Sequence, residues 1–200
     1  MQVEGIILAA GFSRRAGAFK MELPFGEKRL IQQVVEGMRQ SCPRIIVVGG
    51  FKIERVIEMV NIYPEVRVVL NKEYERGMFG SVQEGVRHVT GDLFFIMPGD
   101  HPLITTDIYR DLIHGLMSAG PAYDIAVPVY KDRKGHPVLL RKKTAEELLK
   151  EPIDSTLKKF IQRKGFAPVN VDKDCILKDV DTMEDYKKAA VAFRETIESG

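Results

Sequence analysis

The chain has 200 residues, 44% hydrophobic and 29% charged, which is the size and balance of one soluble globular domain and excludes disordered, collagen-like and coiled-coil chains. Its 30 basic and 28 acidic side chains leave a formal charge of +2, without the strong positive field that sequence-independent nucleic-acid binding requires. With two cysteines, no long apolar segment and no leader-like start, we expect a single domain over residues 1–200 in a reducing cytoplasm, with no nucleic-acid or membrane partner.

Short apolar segments alternate with helical segments along the first two thirds of the chain. Each apolar segment is too short for a helix, is rich in β-branched residues and is bounded by glycine, proline or charge, which is typical of strands buried in a parallel sheet. These segments predict strands over residues 5–10, 44–48, 66–70, 93–97, 124–128 and 137–140. Apolar residues at helical spacing predict helices over residues 29–40 and 81–89.

The last third is less regular. Its pattern predicts short helices over residues 144–150 and 155–164 and a strand over residues 168–171. A final helix begins after Thr182, the predicted N-cap, with Asp185 three residues on as an acidic variant of the capping box. Alternating strands and helices predict an α/β fold with a mostly parallel, twisted sheet and helices on both faces.

The segment after the first predicted strand combines small residues with donors and positive charge. Ligands of open parallel sheets bind beyond the carboxyl ends of the strands, so this position favours a binding site. The small residues are Ala9, Ala10 and Gly11, and the donors and cations are Ser13, Arg14, Arg15 and Lys20. A loop of this kind suits phosphate, although it has neither the P-loop triplet nor the three glycines of the dinucleotide fingerprint. The alternative is a solvated basic turn.

Residues 8–11, followed by Ser13, Arg15, Gly17, Lys20 and Leu23-Pro24, resemble the signature of Rossmann-like nucleotidyltransferases. Within that superfamily the chain is most similar to the molybdenum cofactor cytidylyltransferase and guanylyltransferase group, and the resemblance extends from residue 5 to the final helix. It implies that the loop wraps a nucleoside triphosphate. The nucleotide-binding residues that it implies here are Leu8, Ala9, Ala10, Gly11, Ser13, Arg14 and Lys20. Ala16 departs from the methionine of many relatives.

A second glycine-rich segment follows the third predicted strand, over residues 76–86. Gly77 and Gly80 permit backbone conformations that other residues avoid, and we expect Ser81 to cap the following helix. The resemblance implies that Gly80 and Ser81 lie beside the nucleotide base. The alternative is an ordinary loop-to-helix junction, and the choice between CTP and GTP stays open.

Asp100 follows the apolar strand over residues 93–97, in the sequence Gly99-Asp100-His101-Pro102. A carboxylate at a strand end, facing a phosphate-binding loop, suits Mg²⁺, which takes one or two protein oxygens and completes its shell with water and phosphate. The resemblance implies the same role. The alternative for Asp100 is a turn-forming residue, and we treat His101 as its neighbour rather than a ligand.

Two later segments complete the predicted site. The sequence Gly135-His136-Pro137-Val138 resembles a segment that flanks the acceptor in the cytidylyltransferase branch, so His136 is predicted to bind the acceptor, with a structural histidine as the alternative. Asp179 and Asp181 precede the final helix, and we expect them to point to opposite sides, so that only one faces the site. The resemblance implies Asp181 as the second metal ligand, with Asp179 in reserve; the alternative is charge complementing the helix dipole.

Together these segments predict nucleotidyl transfer, in which an acceptor phosphate attacks the α-phosphorus of a nucleoside triphosphate and releases pyrophosphate. Arg15, Lys20 and Asp100 are the predicted catalytic residues, acting by positioning and charge neutralisation with Mg²⁺. The resemblance implies transfer of CMP from CTP to molybdopterin, and a molybdoenzyme as recipient of the product. The segment Asp154-Ser155-Thr156-Leu157 departs from the Gly-Asp-x-Gly-Ala segment that is common in close relatives. Asp154 matches, but Ile153 stands where the relatives have glycine, and Leu157 stands near the position of their small residue.

Two alternatives remain. In the first, the chain is still a nucleotidyltransferase, but the acceptor is a sugar phosphate or another small phosphorylated alcohol that uses the same loop and carboxylates. In the second, the chain is a non-catalytic module that hands a nucleotide or cofactor to an apo-enzyme.

Overall fold

The structure, a computed structural model, describes residues 1–12 and 18–198 of the chain. Its main element is an eight-stranded sheet in the order β10-β7-β9-β6-β1-β4-β5, with β8 paired to β7. The strands of this sheet are β1 Val3–Ala9, β4 Arg44–Gly49, β5 Val66–Leu70, β6 Leu93–Pro98, β7 Ile125–Tyr130, β8 Arg133–Lys134, β9 Val138–Arg141 and β10 Ala167–Asn170. A separate two-stranded sheet joins β2 Pro24–Phe25 to β3 Lys28–Arg29.

Seven α-helices cover this sheet within the described residues. They are α1 Leu30–Arg39, α2 Ile53–Val60, α3 Met78–Arg87, α4 Thr106–Ser118, α5 Ala145–Leu149, α6 Leu157–Lys164 and α7 Met183–Glu198. The predicted α/β class is confirmed, and every predicted strand and helix has a counterpart. Helices α2 and α4 are additions to the prediction. None of the helices in residues 1–12 and 18–198 is both long and apolar enough to span a bilayer.

The sheet is mostly parallel, as predicted, but β9 is an exception. β1 runs parallel to β4 and β6, β4 to β5, and β7 to β10, whereas β9 is antiparallel to both β6 and β7. Residues 137–140 were expected to form a parallel strand like the others. The link from Tyr130 to Val138 is too short for that, since a parallel crossover needs roughly a dozen residues or more.

Two apolar layers fill the space between the sheet and its helices. Successive side chains of a strand point to opposite faces, and in β1 both Ile6 and Ile7 are fully buried. Ile7 belongs to the layer under α1, α2, α4 and α7, and Ile6 belongs to the layer under α3, α5 and α6. The three-layer arrangement predicted from the continuous apolar strands is therefore present.

Helix α3 lies unusually close to the sheet. A Cβ atom at Gly85 would lie 2.5 Å from Cγ2 of Ile6, closer than real Cβ atoms come, and 3.1 Å from Cγ2 of Val48. Glycine at this position therefore allows α3 to pack against β1 and β4 at short range.

Two side-chain clusters fix the ends of elements. At the start of α7, the backbone N–H of Thr182 donates to Asp185 Oδ2 at 2.9 Å and the N–H of Asp185 donates to Thr182 Oγ1 at 3.2 Å, so the predicted capping box is confirmed. Near the start of β1, the fully buried Glu4 carboxylate accepts hydrogen bonds from Arg44 Nη1 at 2.7 Å, Thr90 Oγ1 at 2.8 Å and Thr90 N at 2.9 Å.

The Glu4 cluster predicts a pH-dependent contribution to stability. Burial raises the pKa of Glu4, but the hydrogen bonds from Thr90 and Arg44 outweigh it, so the net pKa lies below its ordinary value of 4.5. Glu4→Gln should lower the free energy of unfolding by about 1–3 kcal/mol at neutral pH. Because the folded-state pKa is depressed, the wild-type advantage is present above the unfolded pKa and declines as pH falls through the folded one.

Denaturant unfolding at neutral and acidic pH measures both effects. Glu54→Gln, at an exposed position, is the matched control and should unfold like the wild type. A stability difference that grew as the pH fell would contradict this account of Glu4.

Candidate active site

A cleft of about 490 Å³ opens at the carboxyl ends of β1 and β6, the sheet edge where ligands were expected. It brings together most of the predicted site residues that the structure describes. These are Leu8, Ala9, Ala10, Gly11, Lys20, Ser81, Asp100, His136 and Asp181. Ser13, Arg14 and Arg15 lie outside the described residues. Gly80 does not line this cleft; it faces a smaller cavity with Asn71 and Gln83.

Lys20 connects the two predicted metal ligands. Its Nζ lies 3.0 Å from Asp100 Oδ2 and 3.1 Å from Asp181 Oδ1, and only 10% of its side chain is exposed. A backbone hydrogen bond of 2.8 Å from Val180 N to Asp100 O holds the two acidic segments side by side. Asp179, the reserve candidate, is exposed and lines the same cleft as Asp181. The expectation that the two residues point to opposite sides is therefore wrong, because residues two apart in an extended chain share a face. Three segments that are distant in sequence therefore meet at one charged point.

The surroundings of Asp100 keep its carboxylate ionised. Burial raises the pKa of Asp100, but the hydrogen bond from His101 and the charge of Lys20 outweigh it and hold the pKa well below its usual range. The ionised carboxylate only accepts, so the 2.9 Å contact with His101 Nδ1 is a hydrogen bond donated by the ring. His101 is therefore a direct partner of Asp100.

His136 lies beside this group, with its ring centroid 5.1 Å from that of His101. Burial lowers the pKa of His136 to about 3, the charge of His101 acting in the same direction and that of Asp100 opposing it. The ring is therefore neutral at neutral pH. Its Nδ1 atom is buried and has no hydrogen-bond partner among residues 1–12 and 18–198.

The two carboxylates fit a divalent cation of the magnesium type. Asp100 and Asp181 already converge on a single cationic atom, and both supply the hard oxygen ligands that Mg²⁺ prefers. No group of three or more His, Cys, Asp or Glu side chains in the described part of the chain has a metal-binding arrangement. A site with two carboxylates suits an ion that takes its remaining ligands from water and phosphate. An ion held between Asp100 Oδ2 and Asp181 Oδ1 would take the present place of the Lys20 ammonium group.

An aromatic cluster supports both sides of the first loop. Phe12 and Phe19 flank its central residues, and their ring centroids lie 5.4 Å and 6.0 Å from that of Phe51. The backbone N–H of Phe51 also donates to Ala10 O at 3.3 Å. The segment after β4 thus anchors the loop after β1. Sequence reasoning missed Phe51, although its place directly after a strand at the same sheet edge was a usable signal.

Ser81 has a different position from the one predicted. Helix α3 begins at Met78 with Gly77 as its N-cap residue, so Ser81 lies within the first turn and does not cap the helix. Its hydroxyl is held by Asn71, whose Nδ2 lies 3.0 Å from Ser81 Oγ. The helix starts three residues before the predicted residue 81, because Gly77, at φ 115°, ends the loop five residues before Val82, the first residue of the predicted apolar set.

A second cleft of about 880 Å³ adjoins the first, and His136 and Pro98 line both. Its rim carries four basic side chains and two acidic ones. They are Arg76, Arg133, Lys134 and Lys158, with Asp132 and Asp154. The excess of positive charge favours an anionic ligand.

Comparison with known proteins agrees with this geometry. Residues 5–169 match the family model described as the MobA-like NTP transferase domain. The chain is 28% identical over 193 residues to the molybdenum cofactor cytidylyltransferase of Escherichia coli K12, covering 96% of this chain and 98% of that protein. It is 25% identical over 130 residues to a probable molybdenum cofactor guanylyltransferase of Bacillus mycoides, covering 65% and 63%. A manganese complex of Mycobacterium tuberculosis Rv0371c has 25% identity and a TM-score of 0.75, covering 94% of this chain and 97% of that one.

The position of Lys20 predicts competition with divalent cations. In Lys20→Met the ammonium no longer neutralises Asp100 and Asp181, so the free protein should bind Mn²⁺ several-fold more tightly than the wild type. Triphosphate binding should weaken at the same time because a charge-assisted contact is lost. Calorimetric titration with Mn²⁺ alone and with CTP alone measures the two effects. Lys28→Met, at an exposed lysine, is the control, and weaker Mn²⁺ binding by Lys20→Met would contradict the assignment.

Proposed function

Because the chain belongs to the MobA-like NTP transferase family, we propose that it transfers CMP from CTP to the phosphate of molybdopterin and releases pyrophosphate. The observation that carries the proposal is the meeting of Lys20, Asp100 and Asp181 at the end of β1, beside a second cleft with a basic rim. We further propose that residues 1–200 act as one domain and use Mg²⁺.

A small difference in sequence identity supports cytidylyl over guanylyl transfer. The chain is 28% identical to the cytidylyltransferase of Escherichia coli over 96% of its length, and 24% identical to a probable guanylyltransferase of Bacillus cytotoxicus over 92%. The relatives' names also support molybdopterin as the acceptor. GTP is the second candidate nucleotide.

In the proposed reaction, an oxygen of the acceptor phosphate attacks the α-phosphorus, and the bond to the β-phosphate bridging oxygen breaks. The acceptor supplies the nucleophile, so the chain's residues position the reactants and neutralise charge. Lys20 holds the triphosphate and offsets the charge of the departing pyrophosphate. Ser13, Arg14 and Arg15 remain predicted partners of the same phosphates, with Arg15 assisting departure. Leu8, Ala9, Ala10 and Gly11 place the backbone of the loop close to them.

Asp100 and Asp181 would hold the metal ion, which when bound neutralises phosphate charge and polarises the reacting phosphorus. His101 fixes the orientation of the Asp100 carboxylate through its hydrogen bond. Ser81 would lie beside the base, whereas Gly80 faces the smaller cavity and would not contact it. His136 lines both clefts and is neutral at neutral pH, so it can orient the acceptor by hydrogen bonding without adding charge.

The second cleft supports a phosphorylated acceptor of substantial size. Its volume of about 880 Å³ exceeds that of the first cleft, and its rim is basic. A pterin phosphate fits this description, and a sugar phosphate or a small phosphorylated alcohol is the competing acceptor. If the product is a dinucleotide form of the molybdenum cofactor, the recipient is a molybdoenzyme and the place of action is the cytoplasm.

Pyrophosphate release tests the substrate assignment. The wild-type protein should release pyrophosphate fastest with CTP and molybdopterin, when each of the four nucleoside triphosphates is paired with molybdopterin or with a panel of sugar phosphates. Faster release with GTP would change the nucleotide assignment only. Turnover with a sugar phosphate and none with molybdopterin would overturn the acceptor assignment.

Asp100→Asn separates an enzyme from a non-catalytic carrier. The substitution keeps the size of the side chain but removes the charge that would hold the metal, so pyrophosphate release should fall by roughly two to three orders of magnitude. The thermal unfolding midpoint should fall, because the fold stabilises the ionised carboxylate through His101 and Lys20, but it should stay well above the assay temperature. Asp111→Asn, at an exposed residue of α4, is the control and should retain full activity. Unchanged activity in Asp100→Asn would argue against this carboxylate as a metal ligand.

A further inference from the structure

The hydrogen bonds around Asn71 determine which way the Ser81 hydroxyl can point. Asn71 follows β5 directly and is 6% exposed, and Ser81, in the first turn of α3, is 3% exposed. The backbone N–H of Glu73 donates to Asn71 Oδ1 at 3.0 Å. A backbone N–H cannot accept a hydrogen bond, so the oxygen of the carboxamide must face Glu73. The orientation of the Asn71 amide is therefore settled by its neighbour.

This orientation turns the NH₂ group of Asn71 toward Ser81. Nδ2 lies 3.0 Å from Ser81 Oγ, and since NH₂ can only donate, Ser81 is the acceptor in this contact. The serine hydroxyl then keeps its own proton for another partner. Within residues 1–12 and 18–198 no second partner for this hydroxyl is present, and Ser81 lines the cleft that also contains Lys20 and Asp100.

We propose that Asn71 is a positioning residue that makes Ser81 a hydrogen-bond donor to an acceptor atom on the base of the bound nucleotide. In cytosine the acceptors on the accessible edge are the carbonyl oxygen and the ring nitrogen, whereas the exocyclic amine can only donate. Asn71 itself lines the smaller cavity on the other side of α3 and acts through Ser81. This inference rests on the proposed function, because it requires a nucleoside triphosphate in the first cleft.

The substitution Asn71→Asp reverses the polarity of the contact at nearly constant shape. One carboxylate oxygen can still accept from the N–H of Glu73. The other can only accept, so the Ser81 hydroxyl donates to it and presents lone pairs to the cleft. An acceptor atom of the base would then face another acceptor. CTP binding should weaken by roughly tenfold or more.

The test is a double-mutant cycle of wild type, Asn71→Asp, Ser81→Ala and the double variant. Isothermal titration calorimetry measures the dissociation constant of the nucleotide for each of the four proteins. The ligand is the nucleoside triphosphate that the wild type binds most tightly, without acceptor. If Asn71 acts through Ser81, the double variant binds no more weakly than Ser81→Ala alone. Inorganic triphosphate, which has no base, is the internal control and should bind Asn71→Asp about as well as wild type.

Two results would overturn the inference. Equal weakening of CTP and inorganic triphosphate by Asn71→Asp would show that the new charge acts on the phosphates. Additive losses in the double variant would show that Asn71 acts independently of Ser81. If Asn71→Asp does not fold, Asn71→Ala replaces it in the same cycle. Additive losses in the double variant, or equal weakening of CTP and inorganic triphosphate, would then show that Asn71 does not act on the base through Ser81.

Failure of this inference is distinguishable from failure of the proposed function. If the wild-type protein releases pyrophosphate but the losses of nucleotide affinity in the cycle are additive, only the role of Asn71 is overturned. A wild type that binds none of the four nucleoside triphosphates overturns both.

Discussion

The contact of Lys20 with Asp100 and Asp181 is the constraint on which the rest of the site depends. The carboxylates come from positions 80 and 161 residues beyond the lysine, so the contact forms only when the fold is complete. Two ionised carboxylates at such short range from one point would repel each other without a cation. Lys20 supplies that cation in the ligand-free protein. The same charge balance explains how a near-neutral chain carries a strongly charged site.

Strand direction explains the place of His136. Residues at the carboxyl ends of parallel strands share one edge of the sheet, and residues before such strands share the opposite edge. His136 precedes β9, and a parallel β9 would have carried it away from Asp100. Because β9 is antiparallel to β6, its beginning lies at the end of β6, next to the catalytic edge. The apolar pattern of residues 137–140 predicted a strand, but apolar pattern alone does not define direction; the shortness of the preceding link does.

Much of the fold was readable from local pattern. The uninterrupted apolar strand β1 correctly predicted a sheet covered on both faces, because Ile6 and Ile7 each need a buried environment. Thr182 and Asp185 predicted the start of α7 because a capping box is a contact between near neighbours. The start of α3 was misplaced, since helical spacing becomes visible only after a helix has already made its first turn.

The site was less predictable than the fold. Sequence reasoning, aided by the family resemblance, selected Asp100 and Asp181 but did not anticipate that Lys20 lies between them. Asn71 and Phe51 were missed, although each follows a strand, because each acts through a partner on another element, Ser81 in one case and Phe12 with Phe19 in the other. Pairings of this kind follow from tertiary packing and have no local periodicity.

The close approach of α3 to the sheet at Gly85 gives a core position influence over the cleft. Ser81 lies one helical turn before Gly85 on the same helix. The distance between α3 and β1 therefore also sets the position of Ser81 in the wall of the cleft. A side chain at position 85 would push against Ile6 and lift the helix. A substitution at position 85, in the core and out of contact with any ligand, would then change the width of the cleft and with it the substrate selectivity. Every residue that lines the cleft would stay the same.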